Sequence, residues 1–204
     1  MRERGMIFNG EMVRAILNGS KTQTRRIMKV QPEPSKTREG DHWFSCNKLR
    51  AMVHVSDFTP GSSKIPDYHE FLSKCCPFGE IGDRIWVRET FEPIPDREEP
   101  VGCSGILYAA DIPFPNRKWT PSIHMPRWAS RISLEITNVR VEWLNAISEK
   151  DANAEGVQAN ELSPARYVFG ELWQSIYGAD NSQSWQASPW VWVIEFKRVE
   201  ANNA

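Results

Sequence analysis

The sequence predicts an α+β fold, a small β-barrel with flanking helices and long loop insertions, and three observations lead there. Period-2 apolar runs alternate with short helical stripes, yet no βαβ unit repeats, which argues against a doubly wound sheet. Two stretches rich in turn residues, 31–80 and 92–126, interrupt those runs as insertions. At 204 residues, one decorated domain spanning 1–204 is expected rather than two.

Each element has a local cause. Met12, Val13, Ile16 and Leu17 form a helical stripe over Glu11–Asn18, and Asn18-Gly19 is a C-terminal signal. The polar segment SKTQTRRI follows at the mouth of that helix end. Residues 31–80 carry QPEPSKTREGD and TPGSSKIPDYHE and are predicted to hold little regular structure. After a turn at Gly82-Asp83, Ile85 and Val87 alternate with charged residues as a strand over Arg84–Thr90. Prolines from Pro93 to Pro126 exclude a long helix or central strand there and leave room for a short strand at Ile106–Ala109.

Ile132, Leu134 and Ile136 then alternate with polar residues, and the phase jumps to Val139, Val141 and Trp143. A slip near Asn138 predicts a bulge or a tight turn between paired strands. Ser148, with Asp151 three residues on, opens a short helix that closes at Gly156. Ser163 as N-cap and Pro164 at the first helical position open another, running to Tyr177-Gly178. Trp190, Trp192, Ile194 and Phe196 line one face of a last strand, Trp190–Val199.

The net charge of −1 hides a polarity: residues 1–50 hold 11 Lys/Arg against 5 Asp/Glu, and the remainder 14 against 21. A basic N-terminal third suits a phosphate-bearing or polyanionic ligand, although a solvated basic surface has the same composition. No apolar run nears the roughly 18 residues of a membrane span, and no signal peptide is legible, so a cytoplasmic location without a membrane partner is expected. Reduced, buried or idle thiols are expected at Cys46, Cys75, Cys76 and Cys103. Grouping His42 and Cys46 with the Cys75-Cys76 pair matches no standard zinc spacing, so neither metal nor cofactor is expected.

The most chemical segment is Gly-Ser-Lys-Thr-Gln-Thr-Arg-Arg. Were it helical or turn-like, Lys21 and Thr24 would share a face at i and i+3, so an uncharged amine could take the hydroxyl proton. The neighbouring charges of Arg25 and Arg26 would favour that uncharged amine. The same spacing also describes a basic turn in water, and spacing alone leaves both readings open. It is not a phosphate loop, which needs a second glycine, and no GxSxG, HExxH or Cys/His nucleophile pair occurs.

A resemblance adds to this. Gly19-Ser20-Lys21-Thr22-Gln23-Thr24-Arg25 resembles the GxKTxTxR signature of the ASCH family, a group of PUA-like β-barrels. Gly82-Asp83-Arg84-Ile85-Trp86-Val87-Arg88 is similar to the family's strand entry, and Leu144–Ala152 to its strand-to-helix passage. Trp192-Val193-Ile194-Glu195-Phe196 is similar to its closing strand. Four blocks, in chain order, carry the likeness. WVRET and PSIHMPRWASRI resemble the longer ASCH proteins of tailed phages and prophages.

One branch of the family cleaves N4-acetylcytidine to cytidine and acetate with a Lys, a Thr and a Glu. Carried over residue by residue, the resemblance implies Lys21, Thr24 and Glu155 as the catalytic set, with Glu149 and Asp151 as competitors for the Glu. Lys21 would deprotonate Thr24, Thr24 would attack the acyl carbonyl, and Glu155 would protonate the departing N4 amine. Backbone N–H groups of 19–25, or Arg26, would stabilise the oxyanion.

Three functions follow as expectations. The first is an amidohydrolase for N4-acylated cytosine nucleosides or a related modified base, with Trp86 and Trp128 stacking on the base. The second is a binder or single-strand nuclease of RNA, with Arg25, Arg26, Lys29, Arg127 and Arg131 on phosphates and Arg88 as a further binding residue for substrate or nucleic acid. The third is a scaffold whose insertions bind a host or phage protein.

Overall fold

The computed structural model describes residues 1–46, 48–58, 71–94, 105–112 and 117–199, and its framework is a five-stranded mixed sheet. Its strands are β1 (Glu3–Ile7), β2 (Gln23–Ile27), β6 (Arg84–Arg88), β9 (Ser133–Trp143) and β10 (Trp190–Val199), in the order β1-β6-β9-β10-β2. β1 runs parallel to β6, and the other three pairings are antiparallel. Both edge strands come from the first 27 residues, joined by α1 (Gly10–Leu17). Asn9 caps α1 by accepting from the Met12 N–H at 2.8 Å, and Gly19, at φ +82°, follows its end.

β10 explains why the sheet has material on both faces. Trp190, Trp192, Ile194 and Phe196 join Phe8, Val13, Ile16, Ile85 and Leu134 in the main core. The alternate residues Val191 and Val193 are equally buried on the opposite face, against Leu144, Ile147, Phe169 and Trp173. A strand covered on both sides reads as an unbroken apolar run, and each fully buried side chain there contributes roughly 1.5–3 kcal/mol. The second layer consists of α3 (Glu149–Ala154) and α4 (Ala165–Tyr177).

Several expectations need correction. No closed barrel forms among the described residues: β1 and β2 do not pair, although Arg26 Nη2 reaches across to donate to the Ile7 carbonyl at 2.7 Å. Residues 31–80 are more regular than expected. They hold the antiparallel sheet β3 (Glu33–Pro34), β4 (His42–Cys46) and β5 (Ala51–His54), a 3-10 turn at Val55–Phe58, and α2, described over 71–75. Phe44, Cys46, Leu72 and Cys76 bury into the main core, so this insertion is part of the domain's packing.

Cys46 and Cys75 form a disulfide, with Cα atoms 5.7 Å apart across a separation of 29 residues. Free thiols were expected at both, but β4 and α2 meet only through tertiary packing. Cys76 stays free, and burial pushes its thiol up to about 11. Cys103 lies outside the described residues.

In the second insertion β7 (Phe91–Pro93) pairs with β8 (Ile106–Tyr108), and Phe91 packs with Met125 and Ala129. The slip at Asn138 is a bulge within a continuous β9: Glu195 pairs with Asn138 and Phe196 with Ile136, leaving Thr137 over. Ser148 caps α3 as predicted, accepting from the Asp151 N–H at 3.1 Å. Pro164, not Ser163, is the N-cap of α4.

Candidate active site

The segment after α1 is not a helical turn. Lys21 forms an isolated antiparallel bridge with Glu155, the residue that ends α3. Its N–H donates to the Ala15 carbonyl at 2.9 Å, and the Thr22 N–H donates to Ala154 at 2.8 Å. Lys21 is thereby clamped between the ends of two helices. Gly156 makes the approach feasible: at φ +87° a Cβ would lie 2.7 Å from the Ala15 Cβ and 2.9 Å from the Lys21 Cβ. The i, i+3 helical face expected for Lys21 and Thr24 is therefore absent, since β2 begins between them at Gln23.

What the fold supplies is a carboxylate shared by two cations. Lys21 Nζ donates to Glu155 Oε2 at 2.7 Å and to the Glu155 carbonyl at 2.8 Å. Arg25 Nη1 donates to the other oxygen, Oε1, at 3.0 Å. All three residues are buried, at 2%, 3% and 4% exposure for Lys21, Arg25 and Glu155. Burial holds the Lys21 amine below the usual lysine range, partly opposed by Glu155. Behind this group Arg25 also pairs with Glu142, while Arg140 bonds Asp151 at 3.0 Å, Glu142 at 3.2 Å and also Glu195.

Thr24, Arg25, Arg26 and Glu155 share one cleft of about 170 Å³. Ile7, Asn9 and Met12 form one wall, and Phe169, Leu172, Trp173, Ile176 and Tyr177 of α4 form the other. Lys21 adjoins it through the Glu155 carboxylate. Of the competing carboxylates, Glu149 accepts from the Arg166 N–H and Asp151 is held by Ser148 and Arg140, so of the three only Glu155 is bonded to Lys21.

The remaining expected binding residues lie elsewhere. Trp86 packs beside Phe91, Met125 and Ala129, with Arg88 over its ring at 5.4 Å, while Trp128 is 70% exposed. Arg88 donates to the Ile123 carbonyl, and Arg127 pairs with Glu3 at 2.9 Å. Arg131 is held by Glu89 and Asp111. None of these five lines the cleft. Arginines counted as free for phosphate are largely spent on carboxylates and carbonyls of the same chain.

Sequence reasoning missed the α4 wall and the role of Arg25 on Glu155. A signal for the wall was present: Phe169, Trp173 and Tyr177 recur at i, i+4 and i+8, an aromatic stripe on one helix face. Nothing local marks Arg25, whose partners are 117 and 130 residues away. No group of three or more metal-ligating side chains assembles among the described residues. No helix there is long and apolar enough to cross a membrane. No family model, curated protein or solved structure matches the chain.

Proposed function

We propose that this chain is an ASCH-like amidohydrolase that removes the acyl group from N4-acylated cytosine nucleosides or a closely related modified base, using Lys21, Thr24 and Glu155. One observation carries the reading: a buried lysine sits 2.7 Å from a carboxylate on the same small cleft that Thr24 lines. A threonine hydroxyl is a weak nucleophile until a base removes its proton, and a lysine held below its usual range is such a base. The Arg26 hydrogen bond to the Ile7 carbonyl, which joins the two edge strands, supports the PUA-like reading.

The reaction runs in two balanced halves. Thr24 Oγ bonds to the acyl carbon and the C–N4 bond breaks, the hydroxyl proton passing through the Lys21–Glu155 pair to the departing amine. Both Glu155 oxygens accept hydrogen bonds at rest, so the carboxylate becomes an acid only after the pair has taken up the Thr24 proton. Water then attacks the threonine ester, releasing the carboxylic acid and restoring Thr24. The single-stranded RNA reading has weaker support, because Arg127 and Arg131 are already paired with Glu3, Glu89 and Asp111.

The test is cytidine release from N4-acetylcytidine by the wild type and Lys21→Ala, without added metal. Turnover that is lost in the variant is expected. Equal rates would remove Lys21 from the mechanism, and a folded but inactive wild type would reject the amidohydrolase in favour of salt-dependent RNA binding.

A further inference from the structure

The cleft is lined by three consecutive strand residues, Thr24, Arg25 and Arg26. Side chains alternate across a strand, so a cavity against one face of a sheet meets only every second residue. A cavity that meets all three lies along the strand's edge, where the backbone itself is presented. The walls agree. Thr24 and Arg26 pair with Ile194 and Trp192, which belong to the main core, as do Ile7's neighbours Met6 and Phe8. Arg25 pairs with Val193, which belongs to the opposite core with Phe169 and Trp173. The cleft therefore wraps around the edge of β2 and reaches both layers.

The register fixes which backbone groups point into it. The Phe196 N–H donates to the Thr22 carbonyl at 2.8 Å, and the Met28 N–H donates to Trp190 at 3.1 Å. In an antiparallel ladder the hydrogen-bonded residues alternate, so Thr24 and Arg26 turn their N–H and C=O toward β10, between the Thr22 carbonyl and the Met28 N–H that pair with it at the two ends. Gln23, Arg25 and Ile27 turn theirs outward, and β2 is an edge strand with no strand paired on that side among the described residues. Arg25 is the outward-turning residue that lines the cleft. Parity gives the same result across the gap: the Phe8 N–H donates to Arg88, so Ile7 faces outward, and its carbonyl is the one Arg26 reaches.

We propose that the backbone N–H and C=O of Arg25 are the recognition element of this cleft, pairing with the donor–acceptor edge of an aminopyrimidine ring as a neighbouring strand would. The N–H donates to the ring nitrogen N3, and the C=O accepts from the exocyclic N4–H. A flat ring held this way lies between the Met12 and Tyr177 walls, with Thr24 and Glu155 flanking its exocyclic amine. The Arg25 side chain, meanwhile, stays on Glu155 and Glu142, so one residue reads the base with its backbone and orients the carboxylate with its guanidinium. The proposal rests on the nucleoside reading above, yet its test is separable from it.

Calorimetry on the full chain would compare cytidine with 3-deazacytidine, which lacks the N3 acceptor, and with N4,N4-dimethylcytidine, which lacks the donor. Each analogue is expected to bind at least tenfold more weakly than cytidine, the scale of one unpaired polar group. Ile176→Trp, on the rim of the cleft and 48% exposed, is expected to abolish cytidine binding without unfolding the protein. Analogues that bind within twofold of cytidine, or an unchanged Ile176→Trp, would overturn the edge pairing. Turnover of N4-acetylcytidine with no such discrimination overturns this proposal alone, and discrimination without turnover overturns the hydrolase alone. Absence of both cytidine binding and turnover overturns the two together.

Discussion

Glu155 and Glu89 are both deeply buried, at 4% and 1% exposure, and both are held by arginine, yet the fold uses them differently. Glu89 meets Arg131 in a two-point fork, Nε to Oε1 and Nη2 to Oε2, both at 3.0 Å. Asp111 shares the same guanidinium at 3.0 Å, and the arginine lies over the Tyr108 ring at 3.9 Å. One cation thus saturates both oxygens, in a group that serves packing. Glu155 instead splits its oxygens between Lys21 and Arg25 and borders a cleft. A lysine can give up its proton at attainable pH and an arginine cannot, so only the Glu155 group has a cationic partner able to act as a base. Burial with a charge partner does not by itself identify a site; the chemistry of the partner and access to a cavity do.

The comparison breaks most sharply at the cleft. Lys21→Ala or Glu155→Gln is expected to lower kcat for deacylation by about 10³-fold or more, the usual range for loss of an acid–base group. Thr24→Ala is expected to be as inactive, while Thr24→Ser keeps measurable activity and accumulates acyl-enzyme detectable by mass spectrometry. A fully active Thr24→Ala would exclude the covalent route.

At the other glutamate the prediction concerns stability. Arg131→Met strands the Glu89 carboxylate and is expected to cost about 3 kcal/mol in urea unfolding, with kcat unchanged in the folded fraction. Adding Glu89→Gln should recover most of that loss, because the stranded charge goes with it. A parallel loss of kcat in Arg131→Met would mean that the two clusters are coupled.

Titration gives the smallest but most direct contrast. Burial holds Lys21 below the ordinary lysine value, so kcat/KM is expected to rise with pH and level off below about 10.4, where a free lysine titrates. Burial raises the Glu89 carboxyl, with Arg131 opposing. Its folded-state value then lies above the unfolded one, so the folded state holds more protons between the two values. Stability from this group is greatest at low pH and declines as pH rises from about 4.3 upward, and Glu89→Gln should remove that slope.

Some of this was legible in the sequence, for reasons that are local. A cap, a turn glycine or a period-2 run acts over a few residues, which is why α1, the Ser148 cap and the strand at Trp190–Val199 could be read directly. The bulge at Thr137 showed as a slip in phase. Short strands defeated the same reading: β4 is five residues long inside a polar stretch, and its order comes from burying Phe44 and Cys46 under Trp192 and Leu72.

By itself, the sequence determined the α+β class, the helices and the strands at 84–88, 133–143 and 190–199, while Lys21, Thr24 and Glu155 were joined only by the resemblance. Only the tertiary structure decided how they meet. Lys21 and Glu155 are 134 residues apart and touch because Gly156 lets a helix end close onto the segment just before β2. The same closure left the sheet's two edges unpaired across the cleft and committed Arg25 to the carboxylate. Periodicity records which face of an element is buried, but not which distant element covers it, and both the ion cluster and the open edge depend on that second fact.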